Sequence, residues 1–424
     1  MRYLASRVAI VGSLLFLILW IASSLLRTAA LGTGNFGLAA TLARPAWTID
    51  LPLFGFLGLM IFGLATHFMP LFAGRALSSP RIASVAVVLA IGSVALSLGV
   101  PRLLFQGRVL WLAASGLFGA LIVTSLRSGT ASPRPGSRIE GLEVVDRRAG
   151  LITRAAVVYL VIASIAFVVV SPGGRAILPA LAPYGSSVLH LFVFGFVALG
   201  LIGLTFHLLT RFLSVVPSAR GIEMTGILGV LSPVGVALTI PSASTSSLLR
   251  SVFLGFVLVQ ASGAVLFALI VVRMARRAER ERPAAAFFVV GGFWLILGVG
   301  LGAIIAVAQG TALRSASTHD WLLSMGFEGF AVFGITHEIL PPYARQGLLA
   351  WRLAARGHEV LATLGVALVA VSQALALAGY PRSSSAFGVA GFVLLLGMAL
   401  SYAAGTFLTL GAISPPPELA RSTG

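Results

Sequence analysis

Imidazoles and carboxylates are the side chains in this sequence best suited to chemistry, and they cluster. The stretch His319–Pro341 reads HDWLLSMGFEGFAVFGITHEILP and sets His319, Asp320, Glu328, His337 and Glu338 in an otherwise apolar run. Two other stretches echo it: His190–Arg211, HLFVFGFVALGLIGLTFHLLTR, and Asp50–Pro70, DLPLFGFLGLMIFGLATHFMP. Each starts on a polar residue, has a Gly-Phe pair about one turn later, and reaches a His near its end. The spacings are 17 from Asp50 to His67, 17 from His190 to His207, and 18 from His319 to His337. Five of the six histidines fall in these segments. Imidazoles repeated this way could bind a metal ion, bind haem iron, or carry protons. The chain has no Cys, which excludes disulfides, thiolate metal sites and Cys-held iron–sulfur clusters.

The elements that hold these groups are membrane helices. The chain has 424 residues, of which 58% are hydrophobic and 10% charged, with 48 Gly. Apolar runs of about 18 residues or more read as transmembrane helices, and abundant Gly fits close helix packing in lipid. Hydropathy predicts twelve spans near 3–26, 50–73, 82–100, 108–127, 152–171, 187–213, 222–240, 250–273, 285–308, 319–343, 359–379 and 386–411. The N-terminal run is read as an uncleaved first span. The net charge of +17 comes from 29 Arg and no Lys. With the N-terminus inside, the inner segments collect 21 Arg and the outer ones 8. That bias predicts a multi-pass inner-membrane protein with both termini cytoplasmic. The Arg residues lie between apolar runs, so lipid headgroups rather than nucleic acid are their expected partners.

The polar segments are spans 2, 6 and 10, so the chain reads as one transmembrane domain of three four-helix units, 1–127, 152–273 and 285–411. The linkers 128–151 and 274–284 are expected to be cytoplasmic. Asp50, His190 and His319 then form an outer layer, and His67, His207 and His337 an inner one. Seventeen helical residues separate the layers by roughly 25 Å.

These residues resemble a known family. The tenth span, H-x-W-L-L-S-M-G followed by H-E-I-L-P, is similar to helix ten of the catalytic subunit (subunit I) of haem-copper oxidases and nitric oxide reductases. FGF…THFMPLFAG in the second span resembles helix two of that fold, and HLFVFGF…FHLL in the sixth resembles its copper-binding helix six. The NnrS family, twelve-span proteins linked to nitric oxide, is a second relative to consider. The resemblance implies an all-α fold of twelve helices in three pseudo-symmetric arcs. It places His319 at the high-spin haem ligand and His190 near a copper ligand. It also shows losses. Trp321 falls where the low-spin haem ligand is expected, and 223–241 lacks the adjacent copper-binding histidines. A complete terminal oxidase is therefore not expected.

The resemblance implies a haem b held by His319 with His190 on its other face, and Asp50 nearby to orient an imidazole. Alternatively, these outer groups only cap helix starts. The inner His67, His207 and His337, beside Glu338, could bind copper or zinc or relay protons; or they could simply sit favourably at helix C-termini. Glu328, mid-span, would be held neutral or paired, and is the candidate proton relay. The plainer role is a hydrogen bond to Gln260 or Gln373. His358 lies in a basic amphipathic segment expected on the membrane surface. The functional expectation is a haem- and/or copper-binding membrane protein in nitric oxide or oxygen chemistry, electron transfer, or haem or metal homeostasis, with a possible redox partner protein. The rivals are a transporter or channel using the central polar line, and a structural subunit with a vestigial metal site.

Overall fold

A computed structural model describes residues 4–73, 77–127, 140–178, 180, 184–243, 246–278, 282–308, 316–339 and 348–412. All regular structure among them is helical. The long helices are α1 (Leu4–Gly32), α2 (Leu59–Ala73, continuing from a π-helical segment Ala46–Gly58), α3 (Pro80–Gly99), α4 (Leu104–Arg127), α5 (Leu142–Val170) and α6 (Gly185–Leu213). They continue with α7 (Ala219–Thr239), α8 (Ser247–Arg277), α9 (Pro283–Ala308), α10 (Ala316–Trp321 running on to Phe330–Ile339), α11 (Leu348–Leu377) and α12 (Pro381–Ala412). Eleven helices among the described residues are long and apolar enough to cross a membrane. The 316–339 stretch, with Asp320, Glu328 and Glu338, is not one of them.

Helix boundaries follow from local chemistry. Ser79, Ser218 and Ser246 accept the backbone N–H groups of Ile82, Gly221 and Leu249 at the starts of α3, α7 and α8. Pro80 and Pro283 open α3 and α9, where a missing N–H costs nothing. Two sequence boundaries move. α5 begins at Leu142 rather than near 152, so the end of the expected 128–151 linker is helix; 128–139 lies outside the described residues. α11 begins at Leu348, so 348–360 of the segment expected to lie on the membrane surface is the first part of a long helix; 343–347 lies outside the described residues.

Helices α1, α3, α4, α5, α7, α8, α9, α11 and α12 touch in that order, and α12 returns to α1. Inside this closed ring stand α2, α6 and α10. The apolar stretches of α2 and α6 are 89% and 78% buried, against 28–50% for the others. Buried residues also fill α10 from Trp321 to Glu338.

Each of the three inner helices widens into a π-helical segment: Ala46–Gly58, Leu191–Ala198 and Leu322–Gly329. The three segments touch one another. Each contains one Gly-Phe pair, and its glycine admits an aromatic ring from the ring helix that opens the same unit. A Cβ at Gly55 would lie 2.9 Å from Phe16 of α1, at Gly195 2.6 Å from Tyr159 of α5, and at Gly326 2.8 Å from Trp294 of α9. Eight residues on, Gly63, Gly203 and Gly334 repeat the approach, against Ile10, Thr153 and Phe287. Small residues let backbones meet in an apolar solvent that offers no hydrophobic drive to association. In the first segment Pro52 also lacks the N–H that an α-helical bond would need.

Candidate functional site

The outer-layer positions lie at the starts of the π-helical segments, and each engages a ring helix. Asp50 accepts from Arg108 of α4, Nη2 to Oδ1, at 3.2 Å, with both side chains buried. Arg108 also donates to the Phe167 carbonyl at 3.4 Å and lies over the Phe167 ring. His190 Nε2 pairs with Gln260 Oε1 of α8 at 2.8 Å. Since the amide oxygen only accepts, this His190 nitrogen carries the proton. His319 Nδ1 donates to the Gly298 carbonyl of α9 at 2.7 Å.

Asp50 therefore does not orient an imidazole, because its charge is matched by Arg108. Arg108 counts in the sequence as one more loop cation. Its position four residues inside the apolar run of α4 was the available signal.

His190 and His319 come near each other, with a ring that contacts both. The Phe194 ring lies 4.5 Å from His190 and 6.1 Å from His319 between centroids, inclined at 31° and 24°. A haem clamped by the two imidazoles would need that space. On its far side, His319 is packed so closely on α9 that a Cβ at Gly302 would lie 2.6 Å from its Cε1. Trp321 is likewise packed in aromatic side chains, 5.3 Å from Trp20 and 5.3 Å from Phe392. These residues do not fit a haem held between His190 and His319. Next to Phe194 is a cavity of about 30 Å³ whose polar lining is Thr225, Ser232 and Gln260, enough for an ordered water or two.

The inner-layer histidines are not brought together. His67 is half-buried with its ring against Phe68. His207 Nδ1 pairs with Asp146 of α5 at 2.9 Å, and Arg211 donates to both Asp146 oxygens at 2.9 and 2.7 Å. In place of the expected three-imidazole metal site, His207 pairs with a ring-helix residue and His67 packs on its own neighbour. Among the described residues no group of three His, Asp or Glu side chains is gathered as a metal site.

His337 meets a residue that the sequence placed on the membrane surface. His358 of α11 is buried, and its Nδ1 lies 3.0 Å from His337 Nε2. His337 Nδ1 donates to the Phe333 carbonyl at 2.7 Å, and His358 Nε2 lies 3.0 Å from Ser401 Oγ of α12. The hydroxyls of Thr336 and Tyr402 are hydrogen-bonded beside them. Glu338 turns away, accepting from the Ala284 N–H at 3.2 Å, with Arg282 at 3.6 Å.

Glu328 lies in the π-helical segment of α10. It is fully buried, and neither carboxyl oxygen has a hydrogen-bond partner among the described residues. Gln260 is committed to His190, and Gln373 Oε1 is itself unpartnered, so the plainer expectation of a hydrogen-bonded structural Glu is not met. Asp320, Ser324 and Glu328 follow at four-residue spacing on α10, from an exposed residue to a fully buried one. Thr336 and His337 continue the polar line about 12 Å further along the helix.

No protein family matches the chain, and no curated protein is significantly similar to it.

Proposed function

We infer that this is a membrane-embedded proton relay, a transport or channel protein whose path follows the polar line of α10 through Glu328. One observation carries the reading: a fully buried carboxyl with both oxygens unpartnered among the described residues, in the helical segment where the three inner helices meet. An unpaired ionisable group within a bilayer is costly and marks ion pathways and proton relays. π-helical segments likewise gather at functional sites. Asp320 and Ser324 supply the approach from one end, and the His337–His358 pair lies toward the other. Ordered water between Glu328 and Thr336 would complete the line.

This reading takes the chain as twelve spans, counting 316–339, in three four-helix arcs that each enclose one π-bearing helix. The repeated Gly-to-aromatic contacts support it. The Arg bias supports an inner-membrane protein with both termini cytoplasmic.

The test is proton flux into liposomes carrying the purified protein. Wild type should acidify or alkalinise the lumen in response to an imposed potential, and Glu328→Gln should not. Flux in the Gln variant equal to wild type ends the relay reading.

A metal-binding reading keeps one specific support. The Gly298 carbonyl fixes His319 through Nδ1, as metal-bound imidazoles are held, so Nε2, beside Gly302, is the nitrogen left for a ligand. In that case an iron or copper centre would supply redox chemistry, and His319 would bind it from one side. The optical spectrum and metal content of protein made in haem-replete cells test this. A Soret band or stoichiometric copper or zinc, lost in His319→Ala, would favour it over the relay.

A further inference from the structure

We propose that His337 and His358 form a proton-storage site loaded from the membrane surface through Ser401. The inference rests on the relay reading and names its terminus. Its first support is the polarity of the chain. The Phe333 carbonyl can only accept, so His337 Nδ1 carries a proton. In the neutral pair His337 Nε2 must then accept from His358 Nδ1–H, and His358 Nε2 must accept from the Ser401 hydroxyl. Every nitrogen of both rings is satisfied, and all the bonds point one way.

One added proton reverses that order without moving a heavy atom. Water delivers a proton to Ser401 Oγ as the Ser401 hydroxyl proton passes to His358 Nε2. His358 gives its Nδ1 proton to His337 Nε2. The result is an imidazolium at His337 and a neutral His358 with its proton on Nε2. His337 now donates from both nitrogens, to Phe333 and to His358, while His358 donates to Ser401. One proton has entered, one charge rests on His337, and no donor or acceptor is orphaned.

Aromatic rings face the group that takes this charge. The His337 ring is stacked between Phe287, at 5.0 Å and 25°, and Tyr402, at 5.2 Å and 28°. Two aromatic faces stabilise a cation between them. Among charged groups near the pair, Glu338 is held by Ala284 and Arg282, while Arg352, Arg356 and Glu359 lie on α11. Ser401 is exposed on α12, and Arg352 and Arg356 are exposed on α11 just before His358, cations of the kind that mark a membrane's polar boundary. The repeat pattern does not point to this pair, because His358 lies outside the three repeated segments.

The test uses the full-length protein, labelled with ¹⁵N-histidine, in lipid nanodiscs. Nitrogen spectra should show two neutral rings protonated on Nδ1 and coupled through one N–H···N bond. Acidification should convert them together, with uptake of one proton, to a doubly protonated His337 and a His358 protonated on Nε2. In liposomes, His358→Gln and Ser401→Ala should each lower Glu328-dependent flux by about tenfold or more. Ser401 is exposed, so its variant tests the entry point without disturbing the core. Uncoupled rings, independent protonation of the two, or wild-type flux in both variants would overturn the proposal. If wild-type liposomes conduct no protons, the relay reading fails and with it the site's role as a terminus; the spectra decide storage on their own.

Discussion

Gly195 and Tyr159 touch where no larger residue than glycine fits. A Cβ at 195 would lie 2.6 Å from Cδ1 and 2.6 Å from Cγ of the Tyr159 ring. The ring is fixed in turn, because its hydroxyl donates to the Val230 carbonyl of α7. Tyr159 thus ties three helices together at the π-helical segment of α6. Gly195→Ala should destabilise the protein by about 1–3 kcal/mol, the usual cost of overpacking. Gly92→Ala, at a glycine with open space around it, should be neutral or slightly stabilising. Melting of the two variants in one detergent checks the contrast. Equal melting temperatures would mean that α5 and α6 do not meet this closely.

The buried Asp50–Arg108 pair makes a second prediction. Removing one partner leaves an uncompensated charge among apolar side chains, which costs about 3–5 kcal/mol. Asp50→Leu and Arg108→Leu should each lower stability by that amount. The double variant should recover most of the loss, since apolar replacement of a whole buried pair is close to neutral or stabilising. A double-mutant cycle from unfolding midpoints gives the coupling. Additive losses would show that the two groups act separately.

Much of the fold was legible in sequence, for reasons that mark its limits. Long apolar runs need helices in lipid, and the repeated polar–Gly-Phe–His pattern singled out the three helices that the ring encloses. The π-helical widening was not visible. Gly55, Gly195 and Gly326 mark it, but their meaning depends on Phe16, Tyr159 and Trp294, which lie 32 to 39 residues away on other helices. The site was less legible. Repetition along the chain suggested that equivalent residues share a centre. In three dimensions equivalent residues engage their own ring helices, so Asp50, His190 and His319 hydrogen-bond to Arg108, Gln260 and Gly298. Partners such as Arg108 and His358 are single residues outside any motif, and periodicity carries no information about them.

Gln260 hydrogen-bonds the half-buried His190 side chain through its amide oxygen. Gln260→Leu should therefore cost about 1–3 kcal/mol, the penalty for a buried donor left unpaired. Gln260→Glu should retain the bond through a carboxyl oxygen and cost less. Thermal unfolding ranks the two variants. A Leu variant as stable as wild type would show that water from the adjacent cavity takes over the contact.

Glu328 sets stability against function. Burying a polar group without a hydrogen bond costs about 1–3 kcal/mol on protein mutational scales. Its two orphaned oxygens give the native state no return for that cost. Glu328→Leu should accordingly raise stability by an amount of this order, and Glu328→Gln should leave it nearly unchanged, because the amide is equally unpartnered. Both should abolish proton flux, the first in a protein harder to unfold than wild type. Such opposed effects are expected where a residue is kept for what it does rather than for what it holds together. Unfolding midpoints and liposome flux on the same preparations decide the matter. If Glu328→Leu lowers stability, the carboxyl has partners in the folded protein, such as bound water, and its burial is structural.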